Sequence, residues 1–125
     1  MNERYMFRGK QNDNGEWVKG WYSIGYVSKN TFICENGRYY EVIPETVGQC
    51  VCIKDKNGTM IFEGDVVRYE DIVFRIGWNK FRCRFEGINK YDCGESLCQF
   101  TFNANVSGEV IGNVHDNPEL MEVKE

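Results

Sequence analysis

The residues of this 125-residue chain that could carry out metal or covalent chemistry include six cysteines. Zinc sites use paired ligands at short spacing, most often as C-x-x-C, and no such segment occurs. The closest thiols are Cys50 and Cys52, whose spacing places both side chains on one face of an extended strand. Because the chain shows no export signal, disulfides are not expected to persist. We therefore predict structural thiols and no metal site; the cysteines are Cys34, Cys50, Cys52, Cys83, Cys93 and Cys98.

Acid–base or nucleophilic catalysis would have to use His115, the one histidine, which lies in a turn-rich segment near the C-terminus. Glu63 and Asp65 share a strand face if their segment is extended, and such a pair could hold a metal or transfer protons. No further ligand accompanies them, which favours a turn in which Asp65 accepts backbone hydrogen bonds. Gly58 and Gly64 are predicted to supply the positive φ of turns. We predict no catalytic residues, and no enzyme.

The charge pattern limits nucleic-acid binding to one segment. The net charge is −4, which argues against indiscriminate coating of nucleic acid. Residues 66–90 nevertheless hold six basic and three acidic residues, a local excess of +3 (six minus three), interleaved with aromatic residues. Small barrels hold single strands with this combination, but the alternation in 81–85 favours rings pointing inward and arginines outward. The candidate nucleic-acid face consists of Arg75, Trp78, Arg82 and Arg84.

A second aromatic cluster lies in the first forty residues. A domain of this size has limited interior for so many rings, and Trp and Tyr are enriched at protein contacts. Core packing alone is the alternative. The cluster contains Trp17, Trp21, Tyr22, Tyr26, Tyr39 and Tyr40, and the candidate subunit contact consists of Trp17, Trp21 and Tyr22. The chain contains no P-loop and no G-x-G-x-x-G, so no cofactor is predicted.

The elements that must position these residues are predicted to be short strands. Apolar residues alternate with polar ones, turns such as Asn-Gly separate the runs, and no apolar stripe of helical period occurs. Alternation predicts strands over 81–85 and 99–106, with a polar loop between them at 86–97. The pattern predicts an all-β fold: a β-meander over 1–49 and a small barrel or sandwich over 50–125, within one compact unit.

Several motifs, in order along the chain, resemble the YopX-like family of phage and prophage proteins. The resemblance implies that the barrel over 50–125 is SH3-like, that a phage or prophage encodes the chain, and that the protein self-associates. It carries over no activity and no catalytic residue. Family members often have Tyr-Thr-Gly where this chain has Cys50-Val51-Cys52, so Cys52 fills a glycine position. The motifs lie at 7–10, 15–17, 20–22, 44–49, 54–58, 61–67, 110–114 and 116–120.

The functional expectation is a non-enzymatic phage accessory protein that acts through self-association and contacts with a host or phage protein. The alternative is a nucleic-acid-binding small barrel. No apolar run is long enough for a transmembrane helix, and the N-terminal residues lack the apolar stretch of a signal peptide. We therefore expect the cytoplasm of the host bacterial cell.

Overall fold

The regular structure of the chain is β. The only helices among the described residues are short 3-10 segments, Pro44–Thr46 and Pro118–Met121. The predicted all-β class is therefore confirmed. The computed structural model describes residues 6–69, 71–91, 94–96 and 108–122.

Two compact units make up the chain, Met1–Cys50 and Val51–Glu125. In the first unit, antiparallel strands pair in chain order, and the first strand also pairs with the start of the fifth. An isolated bridge joins Gln11 to Val42. The strands are β1 (Phe7–Lys10), β2 (Trp17–Ile24), β3 (Thr31–Glu35), β4 (Arg38–Glu41) and β5 (Gly48–Lys54), the last of which continues into the second unit.

The hairpin between β3 and β4 follows from its turn residues. Asn36 and Gly37 have φ of 50° and 81°, and two-residue loops of this type need positive φ at both positions. This turn fixes the register in which Ile33 faces Tyr40. The small core of the first unit, on the side of the sheet that Ile33 faces, contains Val18, Ile33 and Val42, with Phe7, Tyr40 and Val47 packed against it.

The described part of the second unit contains β6 (Met60–Phe62), β7 (Asp65–Tyr69), β8 (Ile72–Asn79), β9 (Arg84–Ile88), β10 (Gly94–Ser96) and β11 (Glu109–Asn113). An antiparallel sheet has the order β10-β9-β8-β7-β11, while β6 pairs with β5. Buried apolar side chains fill the core of this unit, namely Ile61, Val67, Phe74 and Ile76.

The described strands of this sheet do not close into a barrel. Strands β10 and β11 form its two ends and do not pair with each other. The all-β part of the fold prediction therefore holds, while the SH3-like barrel stays a prediction. The predicted strand 99–106 lies outside the described residues, as do Cys93 and Cys98.

The predicted boundaries around residue 84 were wrong. Residues 80–83 form the loop of the β8–β9 hairpin, in which Phe81 is 88% exposed and Cys83 has a φ of 52°. Strand β9 runs from Arg84 to Ile88 and β10 from Gly94 to Ser96, so both enter the segment 86–97 that was predicted to be a loop. The sequence pattern failed here because Glu86 is polar and nevertheless buried, so that apolar alternation did not mark the strand.

The carboxylate of Asp55 joins distant parts of the second unit. Its Oδ1 accepts hydrogen bonds from the backbone N–H groups of Asn57 (2.9 Å) and Thr59 (2.8 Å), and its Oδ2 accepts one from Val110 (2.9 Å). Burial raises the pKa of Asp55, but the N–H donors of Val110, Thr59 and Asn57 outweigh that effect and leave the pKa below its usual value. The β5–β6 turn is thereby bound to β11.

A second buried carboxylate, that of Asp65, fixes the turn between β6 and β7. Its Oδ2 accepts a hydrogen bond from the backbone N–H of Phe62 at 2.8 Å. Gly64 has a φ of 93°; its N–H donates to Ile76 O (2.8 Å), and its carbonyl accepts from Val114 N–H (2.9 Å). The turn is therefore held by its own side chain and by two other segments of the unit.

Cys52 occupies a backbone conformation that L-residues disfavour. Its φ is 68°, inside strand β5, and its side chain is exposed whereas that of Cys50 is buried. The two thiols therefore do not share one environment, because the left-handed residue interrupts the strand alternation. Left-handed backbone costs a residue with a Cβ about 1–2 kcal/mol, which glycine avoids.

We predict that Cys52→Gly raises the free energy of unfolding by about 1 kcal/mol, because the backbone strain disappears. Urea unfolding under reducing conditions measures this change. Cys52→Ala is the matched control, since it removes the thiol and keeps the Cβ; equal stabilisation by alanine would contradict the explanation.

We predict that Asp55→Asn lowers the free energy of unfolding at pH 7 by about 1–3 kcal/mol. The amide nitrogen that replaces one carboxylate oxygen cannot accept the hydrogen bonds that this oxygen accepts from backbone N–H groups. The pKa of Asp55 is lower in the folded chain, so its stabilisation is full above the ordinary value of 3.8 and is lost as the pH falls through the folded value. Urea titrations at pH 7 and near pH 3 should show the wild-type advantage shrinking in acid. An advantage that does not change with pH would contradict the ionic role.

Candidate functional site

The predicted nucleic-acid residues lie on two faces of the β8–β9 hairpin. Trp78 faces Phe85 across the strands, and their rings meet edge-on with centroids 5.0 Å apart. Because strand side chains alternate, Trp78 shares the core side of the sheet with Phe85, while Arg75 and Arg84 lie on the opposite side. The four predicted residues therefore do not form a single face.

The arginines of this hairpin are organised by one buried acid, Glu86, which is 1% exposed. Its Oε1 accepts from Arg84 Nε at 3.1 Å and from Asn79 Nδ2 at 3.0 Å, and lies 3.5 Å from a guanidinium nitrogen of Arg82. Burial raises the pKa of Glu86, but the hydrogen bond and charge of Arg84, with help from Asn79 and Arg82, bring it below its usual value. Two of the predicted cations thus share one carboxylate.

A glycine on the neighbouring strand completes this arrangement. Gly77 is the cross-strand partner of Glu86, and a Cβ there would lie 2.9 Å from Ile88 Cδ1 and 3.3 Å from a guanidinium nitrogen of Arg75. A residue with a Cβ at this position would have to displace the ends of these two side chains. Arg75 is thereby placed beside the cross-strand partner of Glu86, away from Trp78.

The loop of the hairpin exposes a lysine beside an aromatic ring, Lys80 and Phe81, a pair that the sequence pattern did not predict. Asn79 Oδ1 accepts from the backbone N–H groups of Phe81 (2.9 Å) and Arg82 (3.1 Å), which fixes the loop. The Lys80 ammonium lies 5.4 Å from the centroid of the exposed Phe81 ring. A shallow cavity of about 360 Å³ is lined by Trp78, Asn79, Lys80, Phe81 and Ile88.

The predicted subunit contact in the first unit is also divided by strand alternation. Trp21 and Tyr22 are neighbours on β2 and therefore point to opposite sides of the sheet. Tyr22 lies 5.5 Å from the Phe7 ring on the core side. Trp17 lies on the same face as Trp21. The Arg8 guanidinium lies 4.8 Å from the centroid of the Trp17 ring.

The exposed face of the first unit carries an aromatic row across three strands. Trp21 on β2 faces Cys34 on β3, and Cys34 faces Tyr39 on β4. Trp21 is 48% exposed and Tyr39 is 66% exposed. We call Trp21, Cys34 and Tyr39 the aromatic row. The sequence had placed Tyr39 in the aromatic cluster but not in the contact, because strand register is not readable from one sequence.

The backbone brings the His115 segment beside the turn that contains Glu63 and Asp65, because Val114 N–H donates to Gly64 O at 2.9 Å and Asn113 faces Asp65 across the strands. Within the described ranges, no three His, Cys, Asp or Glu residues come close enough to hold a metal ion. The Asp65 carboxylate accepts a hydrogen bond from Phe62 N–H within its turn. His115 lies in the turn after β11, where its backbone N–H donates to Asn113 Oδ1 at 3.0 Å. No disulfide involves Cys34, Cys50, Cys52 or Cys83. The described part of the chain contains no helix with the length and apolar character needed to cross a membrane.

Comparison with known families gives one decisive match. The family model described as YopX protein matches residues 6–122. The chain belongs to the YopX family. A search of curated proteins gives no match. The YopX motifs quoted from the sequence coincide with the turns that the buried acids hold: 54–58 contains Asp55, and 61–67 contains Gly64 and Asp65. In this YopX protein, two of the central motifs therefore have a structural role.

We predict that Arg84 contributes more than Arg82 to the stability of the hairpin, because its Nε hydrogen-bonds Glu86 at 3.1 Å while Arg82 lies 3.5 Å away. Double-mutant cycles with Glu86→Gln and either Arg84→Gln or Arg82→Gln, read by urea unfolding, give the two coupling energies. The Arg84 cycle should show the larger coupling. Equal couplings, or none, would contradict this assignment.

Proposed function

We propose that this YopX-family protein is a non-enzymatic accessory protein of a phage or prophage, acting in the host cytoplasm through self-association and contacts with a host or phage protein. Membership of the family supports the phage origin. A non-catalytic role is supported by the three acids that are buried in the described part of the second unit, since Asp55, Asp65 and Glu86 are all bound to backbone N–H groups or to arginines. We further propose that the second unit is an SH3-like barrel, which the meander β7–β8–β9–β10 with β11 beside β7 supports.

The main support for self-association is the aromatic row. The opposite side of the same sheet already buries Val18, Ile33 and Val42 in its core. Trp21 and Tyr39 therefore expose large rings on the second side, and such rings supply most of the energy of protein contacts. Burying them against another surface removes apolar area from water at about 25 cal/mol per Å².

A second copy of the chain fits this face because its charges are arranged as complements. By strand alternation, Lys19 on β2 shares the face of Trp21, and Glu41 on β4 shares the face of Tyr39. The two charges lie at opposite corners of the aromatic row. A two-fold related copy presents the same face, so it can place each Lys19 beside the other copy's Glu41. Rim charges of opposite sign set the orientation of such a contact.

We predict that size-exclusion chromatography with light scattering gives a mass that is a multiple of the single-chain mass at micromolar concentration. The variant Trp21→Ser/Tyr39→Ser should shift the mass to one chain, because the contact loses its apolar rings. Tyr26→Ser is the matched control: Tyr26 is 90% exposed and lies outside the aromatic row, so its loss should leave the mass unchanged.

A wild-type protein with the mass of a single chain would contradict self-association. An oligomer that survives loss of both rings would contradict the aromatic row as its contact. Circular dichroism of the variant shows whether the β structure is retained, and Lys19→Glu provides a second variant that leaves the rings in place. Its charge reversal should weaken the oligomer, and adding Glu41→Lys should restore it.

A further inference from the structure

The loop of the β8–β9 hairpin has the chemistry of a ligand site that self-association does not use. We propose that Trp78, Lys80 and Phe81, here called the hairpin tip, bind single-stranded nucleic acid by stacking bases on the rings and placing a phosphate beside the Lys80 ammonium. This site replaces the face predicted from the sequence, since Arg75 lies on the other side of the sheet from Trp78.

The rings of the hairpin tip are accessible, and hydrogen bonds fix the backbone of the loop that carries Phe81. Phe81 is among the most exposed large apolar side chains of the described residues, yet its backbone N–H is fixed by Asn79. Trp78 is half-exposed, and its edge-on contact with Phe85 sets the position of its ring. Trp78 and Phe81 both line the same shallow cavity of about 360 Å³. Exposed aromatic rings are the platforms on which proteins stack unpaired bases.

The charge of the hairpin tip favours an anionic partner. Among the described residues, the Lys80 ammonium contacts the Phe81 ring and forms no ion pair with a carboxylate. Arg82 and Arg84 share the single carboxylate of Glu86. Lys80, Arg82 and Arg84 less Glu86 leave a charge of +2 around the loop, in a chain whose net charge is −4. Of these cations, Lys80 lies beside the exposed Phe81 ring, whereas Arg82 and Arg84 lie with Glu86 on the other side of the sheet from Trp78.

A single strand fits these features better than a second copy or a duplex. Two copies meeting at this site through a two-fold axis would bring like charges together. In a duplex the bases are stacked on one another and their faces are not accessible, whereas an unpaired strand offers both bases and phosphates. Because stacking accepts any base, we expect little dependence on sequence.

The test is a titration of the full-length protein against a fluorescently labelled oligothymidine, read by anisotropy at low and moderate salt. Contact of Lys80 with one phosphate predicts a slope of about −0.7 for log Kobs against log salt concentration. Phe81→Ala should weaken binding on the order of tenfold, because one stacking ring is lost. Quenching of Trp fluorescence on binding should be largely lost in Trp78→Phe, which keeps a ring packed on Phe85.

The matched control is a similar pair in the first unit. Lys29 lies 5.4 Å from the ring centroid of the exposed Tyr26, so Tyr26→Ala/Lys29→Ala removes a ring and a cation of the same kind. This variant should bind as wild type, whereas Lys80→Ala/Phe81→Ala should lose binding. Phe81 is solvent-exposed in a loop, so unchanged circular dichroism is expected for its variants.

Several results would overturn the proposal. The absence of binding at low salt would do so, as would equal binding by Phe81→Ala, which would indicate attraction through charge alone. Anionic phospholipid vesicles that bind more tightly than the oligonucleotide, with the same dependence on Phe81, would assign the site to a membrane surface instead. The outcome does not depend on the aromatic row, because the Trp21→Ser/Tyr39→Ser variant should retain binding.

Discussion

The second unit depends on one buried charge, the carboxylate of Asp55. Removing an ionised carboxylate from water costs several kcal/mol unless hydrogen-bond donors replace the solvent. Here the donors are backbone N–H groups of Asn57, Thr59 and Val110, and the last of these is 55 residues away in sequence. The charge is therefore satisfied only when the β5–β6 turn and β11 are both in place. This requirement links two ends of the unit more specifically than apolar contact would, because hydrogen bonds fix direction as well as proximity.

The same physical device recurs at two other positions with different results. Asp65 uses a buried carboxylate to close a tight turn, and Glu86 uses one to gather two arginines on one side of the β8–β9 hairpin. The acid at Glu86 also shapes the local field, because it neutralises charge within the sheet and leaves Lys80 at the tip. Buried acids thus determine where the basic surface of an acidic protein lies.

The sequence predicted the features that depend on a residue and its neighbours along the chain. Alternation gave the all-β class, and the predicted positive φ of Gly58 and Gly64 is confirmed at 83° and 93°, because it is a property of the residue and its neighbours. Two kinds of information were not local. Strand register placed Tyr39 beside Cys34, which a single sequence does not encode. The burial of Glu86 was invisible too, because a polar residue is read as solvent-facing unless its partners Arg84 and Asn79 are known to surround it.

The distribution of contacts in the two units has a consequence for synthesis on the ribosome. The core of Val18, Ile33 and Val42, and the strand pairings of the first unit, lie entirely within the residues made first. The second unit, in contrast, needs Gly108 and Val110 before its carboxylate and the Lys56 N–H are satisfied. A nascent chain can therefore complete the first unit early, while the second unit must wait until almost all of its residues have been translated.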